Sequence, residues 1–283
     1  MTFSTKIFML LCLLFSLGIN AKELKRFNVG YLQNSMTNYS KKDLKITMDI
    51  WIKSVTQESG YDTKMFFYKN PKKAAADLYT SKIDFITGFP VEFVKYFDTS
   101  KLVEGFSGGY KDHKQNKFVI LSRKMNPAKS VGELKNVKVG IQQNDTIMNL
   151  YTKLKMPTAK IVEYKKRSKI VLDLFFKKLD VAIVSLHNFQ LAKELNPQIA
   201  QQIKIFKQTK YLSNGVAFFR KDFSKKERNK IFQKGLGIFK TGRGKQMMVI
   251  YKMETLVHTP VSLLENAQKL YSVYIKQQKK EYR

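Results

Sequence analysis

Two short polar stretches hold the residue types that could do chemistry: Asn144, Asp145 and Thr146, and Ser185 with His187. Each directly follows an apolar run, VKVGI in the first case and VAIV in the second. Asn, Asp and Thr at a helix start commonly cap free backbone N–H groups. The Asp145 carboxylate could also grip a cation or take up a proton. His187 follows a strand end, where a histidine side chain could donate to an oxyanion. Ser185 and His187 invite a hydrolase reading, but as neighbours on one strand they differ in direction or depth, and no nucleophile-elbow motif surrounds the serine. His113 and His258 share no metal-ligand spacing with His187, so no metal site is expected. The only cysteine, Cys12, lies in the leading apolar run, which removes thiol chemistry from the rest of the chain. No catalytic residue and no cofactor is assigned.

Positioning these residues falls to alternating strands and helices. Phe27 to Leu32 reads as a strand, and Leu44, Met48, Ile52 and Val55 recur at helical spacing up to Gly60. A strand over 61–68 is followed by Asn70 and Pro71, a cap and first-turn pair for the helix KKAAADLYTSK. The next strand, 83–88, ends at Gly88 and Phe89, with Pro90 opening a helix. KLVEGFS and NKFVILSRK read as two crossing strands on either side of GGYKDHKQ, which contains Tyr110. Ser130 and Glu133 have capping-box spacing, with the serine hydroxyl accepting from the N–H three residues on. A strand over 137–141, a helix over 146–155, the strand AKIVEY, a helix over 168–179 and the strand LDVAIVSL follow. SKIDFITGF and KKLDVAIVSLH match each other: a helix end runs through an aspartate into a buried strand in both. IKIFKQ and LSNGVAFFRK form the return crossing. Asp222 or Ser224 caps KKERNKIFQKGLGIF, and further helices run over 244–251 and from Ser262.

This alternation predicts an α/β fold with mostly parallel sheets covered on both faces. In such sheets small ligands bind beyond the carboxyl ends of strands, where helix N-termini present unsatisfied N–H groups. The turn before Thr146 is therefore the first candidate for ligand contact.

Residues 1–21 carry Lys6, an apolar run from Ile7 to Leu17 and a small-residue end at Ala21, the form of a secretory signal peptide. Bulky Leu11 before Cys12 argues against a lipid-anchored form. Lys and Arg total 52 against 22 acids, a net charge of +30. Only seven of the basic residues are arginines and the lysines are scattered over every segment, which points to a general lysine bias. No nucleic-acid partner is expected.

The chain resembles the periplasmic solute-binding proteins of ABC transporters, in their phosphate, phosphite and phosphonate-binding branch. The resemblance is carried by FNVGYL, SKIDFITGFPVEF, GGYKDHKQNKFVILSRK, SVGELKNVKVGIQQNDT, IVSLHNFQ and GVAFFRKDFSKKERNKI, and covers roughly Arg26 to Pro260. It implies a two-lobe type II periplasmic-binding fold with two crossover hinge strands. The first lobe would span 22–109, the second 110–210, and 211–283 would return to the first and add C-terminal helices. It further implies first-lobe contacts from Tyr31 to Ser35 and at Gly88 and Phe89, an aromatic contact at Tyr110, a second-lobe helix start at Asn144, Asp145 and Thr146, and a last loop from Ser185 to Asn188, including His187. The resemblance implies capture of a small polar, phosphate- or phosphonate-like ligand and its delivery to an ABC permease, by a monomer in the periplasm. Two departures stand out. QNDT replaces the family's run of Ser and Thr, and Thr87 or Gly88 stands where a tyrosine is common. An acid beside a dianion repels it unless turned away, so a ligand with an ammonium or neutral donor is open as well. A sensory module reporting to a membrane signalling protein and a cleft enzyme using Asp145 or His187 are the alternatives. No guanidinium clamp is evident in the expected ligand loops.

Overall fold

The computed structural model describes residues 24–33, 41–57, 60–110, 117–143, 145–212, 215–238, 240–251 and 253–281. The expected leader, Ser35, His113 and Asn144 fall outside them. The first half runs β1 (Lys25–Leu32), α1 (Lys41–Gln57), β2 (Tyr61–Tyr68), α2 (Pro71–Tyr79), β3 (Phe85–Gly88), α3 (Pro90–Tyr96), β4 (Leu102–Gly109) and β5 (Lys117–Arg123). Then come β6 (Lys138–Gln142), α4 (Thr146–Lys155), β7 (Lys160–Tyr164), α5 (Arg167–Phe175), β8 (Val181–Ser185), α6 (Leu186–Leu195), α7 (Pro197–Gln202) and β9 (Ile203–Leu212). The chain closes with β10 (Val216–Arg220), α8 (Lys225–Ile238), α9 (Gly242–Tyr251), β11 (Thr255–Thr259) and α10 (Glu265–Glu281). The strands form two mixed sheets, ordered β11-β4-β10-β3-β1-β2 and β7-β6-β8-β5-β9. In each, three parallel strands are joined by helices and the remaining strands pair antiparallel with their neighbours.

The two sheets share one corner, at the matching segments of the sequence. After α2 the chain turns through Ser81 at φ 59°, and after α5 through Lys177 at φ 60°. This left-handed turn ends each helix earlier than its apolar spacing predicts. Asp84 then accepts the Asn28 N–H, midway along β1, at 2.8 Å, and Asp180 accepts the Lys138 N–H, at the start of β6, at 2.9 Å, so each carboxylate pins its sheet's first parallel strand just before a neighbour begins to pair with it. An arginine from an antiparallel strand reaches each one: Arg220 to Asp84 at 3.0 Å and Arg123 to Asp180 at 3.7 Å. A tyrosine closing the second parallel strand donates to an aspartate on the helix, Tyr68 to Asp77 at 2.7 Å and Tyr164 to Asp173 at 2.9 Å. Close helix–strand contact is needed at this corner. A Cβ at Gly30 would lie 2.6 Å from Ile83, and one at Gly140 would lie 2.4 Å from Leu179.

Apolar residues cover both faces of each sheet. On the first, Phe27, Phe85, Phe106 and Phe219 meet Phe232 of α8 on one face, while Ile83, Ile86 and Phe218 meet Leu78 and Phe93 on the other. On the second, Val119, Leu121 and Val184 meet α5 and α6. Its opposite face carries a cluster that reaches beyond the sheet: Val139, Ile141 and Ile183 join Ile147 and Leu150 of α4, Ala267 and Leu270 of α10 and Val91 of α3. Helix α10 thus packs on helices that follow strands of different sheets.

The expected caps form in part. Asn70 accepts from Lys72 N at 3.0 Å, and Ser224 rather than Asp222 caps α8, accepting from Glu227 N at 3.2 Å. Asp222 instead pairs with Arg220. At Ser130 the capping box does not form. Its hydroxyl donates to the Glu133 carboxylate at 2.9 Å, while the Glu133 N–H goes to the Ser130 carbonyl. The reason is length: only a single 3-10 turn, Val131–Glu133, follows.

The Asp84 side chain is 11% exposed and that of Asp180 42%, so the same corner is expected to carry different weight in the two sheets. Asp84→Ala, which leaves the Asn28 N–H without its acceptor and Arg220 with Asp222 as its remaining carboxylate partner, is expected to lower the unfolding free energy by about 2 kcal/mol. Asp180→Ala, at a corner open to water, is expected to cost about 1 kcal/mol. Urea midpoints of the two variants measure the difference.

Candidate functional site

The strand pairings bring the chemistry together. On the first sheet the carboxyl ends of β1, β2 and β3 lie at the edge where β4 ends and β10 begins, since Val216 pairs with both Gly88 and Ser107. On the second, the carboxyl ends of β6, β7 and β8 share their edge with the start of β5 and the end of β9, with Phe118 opposite Ser185 and Lys117 opposite Leu212. The two crossings between sheets, from Gly109 to Lys117 and from Leu212 to Val216, join these edges. Strand ends of both sheets therefore open towards the same linking segments, the position in which open α/β sheets hold ligands.

At the second sheet's edge, Asp145 caps α4, its carboxylate accepting from Met148 N at 3.1 Å. Burial pushes its carboxyl up to about 6, against the lowering effects of that N–H and of nearby Arg167. Part of the residue's surface stays open to solvent, so the shift reflects the confined carboxyl rather than complete enclosure. Arg167, the first residue of α5, donates from Nε to Gln142 Oε1 at the end of β6. Thr146 is exposed at the first position of α4. Ser185 is buried at the end of β8 and its hydroxyl accepts from Asn188 N at 3.1 Å. His187 lies in the first turn of α6, so it does not share a strand with Ser185. A helix begins between them because the Ser185 hydroxyl takes the free N–H of the first turn.

At the first sheet's edge, Tyr31 is 2% exposed and packs its ring 5.8 Å from that of Phe67. A Cβ at Gly88 would lie 2.6 Å from Leu32, so that position is closed to side chains. Phe89 precedes α3, its N–H donating to Glu92 Oε2 at 2.8 Å, and its partly buried ring packs on the cluster shared with α4 and α10. Tyr110, immediately after β4, is buried, and its ring stacks on that of His187 with centroids 4.4 Å apart and planes at 26°. A residue at the end of a first-sheet strand thus touches a helix that follows a second-sheet strand.

One residue outside every expected stretch, Arg167, belongs with this group, and within the expected stretches Gln33 and Asn188 stand out. Arg167 is far from Asp145 in sequence, but the parallel pairing of β6 with β7 sets their following turns side by side. Gln33 Oε1, next after β1, and Asn188 Nδ2, in the first turn of α6, are buried with no hydrogen-bond partner among the described residues. A buried polar atom left so costs about 1–3 kcal/mol. Both fall in the polar stretches following apolar runs, which was the available signal, but polar type alone did not separate them from their neighbours.

Solved structures share this architecture. XAC2383 from Xanthomonas citri, bound to ATP, is 9% identical over 90% of this chain and 98% of its own, with a TM-score of 0.58. PhnD1 from Prochlorococcus marinus, in complex with methylphosphonate, is 13% identical over 87% and 97%, with a TM-score of 0.56. A binding protein component of an ABC phosphonate transporter from Pseudomonas aeruginosa is 15% identical over 90% and 88%, with a TM-score of 0.51. No curated protein matches the sequence. The fold is that of the type II periplasmic binding proteins. Residues 35–260 match the family described as ABC transporter, phosphonate, periplasmic substrate-binding protein, and the chain belongs to it. That family consists of transport binding components rather than enzymes. Among the described residues no helix is long and apolar enough to cross a membrane.

The Asp145 carboxyl gives a pH signature. Its folded-state value, raised to about 6, means that the native state holds a proton the unfolded chain has released. Its contribution is fully present below the unfolded value and is lost as pH rises through about 6. Asp145→Asn retains a good cap without the charge. The variant is expected to melt above the parent at neutral pH, with the gain vanishing as pH falls to the unfolded carboxylate range. Thermal unfolding of both proteins across that range reads the effect.

Proposed function

We propose that this chain captures a small phosphonate- or phosphate-like solute between its two sheets and delivers it to an ABC permease. The observation that carries this reading is that the carboxyl ends of the parallel strands in both sheets open on the same two crossings. Residues 1–21 serve as a cleaved signal peptide and the exported form is a monomer. The first lobe takes 22–109 and the segment after 211, and the second takes 110–210.

The ligand lies against Gln33, Gly88 and the segment to Ser35 on one side. It meets the turn through Asn144, Asp145 and Thr146, with Arg167, Ser185, His187 and Asn188, on the other. Tyr110 lies where the first crossing begins. Arg167 supplies the positive charge that an oxyanion requires, and its guanidinium offsets the Asp145 carboxylate. Asn188 donates and Gln33 accepts, which suits a ligand that carries both an oxygen acceptor and a protonated group. No bond is made. Ligand favours the closed form because it touches both lobes, and closure is a hinge motion about the crossings.

The test is a thermal-shift series with methylphosphonate, phosphite, phosphate and, as a contrast, amino acids and polyamines. A true ligand at a hundred times its dissociation constant is expected to add about 2.7 kcal/mol to stability. Asn188→Leu removes a buried donor with no hydrogen-bond partner among the described residues. It is expected to weaken ligand affinity about tenfold or more while leaving the unliganded protein as stable as the parent, or more so. Calorimetry and unliganded melts separate the two effects. Silence with every phosphorus oxyanion, or an Asn188→Leu variant with parental affinity, overturns the assignment.

A further inference from the structure

The second sheet has a pole opposite the strand ends discussed above. There β5 ends at Arg123 beside the start of β9 at Ile203, and Ser122 pairs with Val181 at the start of β8. The segments flanking these ends carry an unusual surface. Among the described residues the three most exposed large apolar side chains are Met125 and Leu195, each 79% exposed, and Phe176, 62% exposed. All three lie at this pole: Met125 just beyond β5, Phe176 at the end of α5 before β8, and Leu195 at the end of α6, with the Lys124 N–H bonded to the Gln202 carbonyl where α7 meets β9.

Lysines surround them. Lys124, Lys177 and Lys178 are exposed beside Met125 and Phe176, and Lys138 starts β6 at the same pole. The neighbouring acids are largely committed to the fold, Asp180 to Arg123 and the Lys138 N–H, and Asp173 to Lys169 and Tyr164. Glu194, next to Leu195, and Glu133, bonded to the Lys129 N–H and the Ser130 hydroxyl, are exposed acids of the group. The helices α4, α5 and α6 also end here, and their C-termini favour cations.

We propose that this pole docks on an anionic lipid bilayer. Apolar side chains left this exposed among lysines suit a soft interface, into whose headgroup boundary they can sink, rather than a close-packed protein partner. The surrounding lysines supply the attraction to lipid phosphates. The general lysine excess alone does not select this pole, since it is scattered, but the three exposed apolar tips coincide with it. Held this way, the protein keeps its strand-end cleft turned from the bilayer and open to solute, while remaining concentrated at the surface where a permease resides. The inference stands apart from the ligand assignment.

The experiment is co-sedimentation of the chain, recovered from the periplasmic fraction of an expressing bacterium, with vesicles of phosphatidylglycerol and phosphatidylcholine or of phosphatidylcholine alone. Binding to the anionic vesicles only, weakening as salt is raised, is expected. Each pole lysine is expected to contribute about fivefold, so the combined Lys124→Glu, Lys177→Glu, Lys178→Glu variant loses about a hundredfold or more. Combined Met125→Ser, Phe176→Ser, Leu195→Ser is expected to reduce partition to the same vesicles with the charge unchanged. A control with the same charge change on the first sheet's side, Lys72→Glu, Lys73→Glu, Lys221→Glu, is expected to bind as the parent. Absence of binding at physiological salt, equal loss in the control, or parental binding by both pole variants overturns the proposal.

Discussion

The aspartate at the helix-to-strand corner is the interaction on which the rest depends. Asp84 and Asp180 each tie a sheet's first parallel strand, at Asn28 in β1 and at Lys138 in β6, to the approach to a neighbouring parallel strand. A carboxylate accepts such N–H groups without a donor of its own to satisfy, so it can close a corner where backbone pairing has not yet begun. The reach of an arginine from an antiparallel strand then fixes where the returning chain lies. With that register set, the strand ends at the opposite edge fall at fixed heights, and Gly88, Gln142 and Ser185 each hand the chain to a polar turn or a helix.

The same construction in both sheets explains why the two halves meet as they do. Each sheet presents its parallel carboxyl ends to the crossings, and the crossings are short. The Tyr110 ring on His187 is a contact between elements belonging to different sheets. Helix α10 makes a second one through Ala267 and Leu270, in a cluster that also takes Val91 of α3 and Leu150 of α4. An apolar contact of this kind has little directional preference, so it can slide during a hinge motion at small cost, whereas a network of buried hydrogen bonds would break.

The polar edge balances opposing demands. Asp145 gains from capping α4 and loses from burial, and Arg167 moderates the loss. Gln33 and Asn188 keep buried polar atoms without a partner among the described residues, a cost that folding alone gives no reason to retain. Where stability is given up at the carboxyl ends of parallel strands, binding is the physical return. At the far pole the balance is of another kind, with apolar tips left in water among lysines.

Much of the fold was legible in the residues themselves. Alternating apolar positions with Gly and Pro breaks gave the strand and helix order, and SKIDFITGF against KKLDVAIVSLH revealed the repeated corner because an aspartate between a helix and a strand has a local backbone role. The turn at Asp145 was legible for the same reason, since capping is decided within four residues. Helix ends after α2 and α5 were read too late, because the left-handed turns at Ser81 and Lys177 carry neither Gly nor Asn to announce them. What only the tertiary structure decided were the relations across distance: Arg167 beside Asp145, Tyr110 on His187, Phe89 turned into the shared cluster and α10 laid across two helices. Those depend on strand pairing and on which apolar faces meet, and a one-dimensional pattern records that a face is apolar without recording its partner.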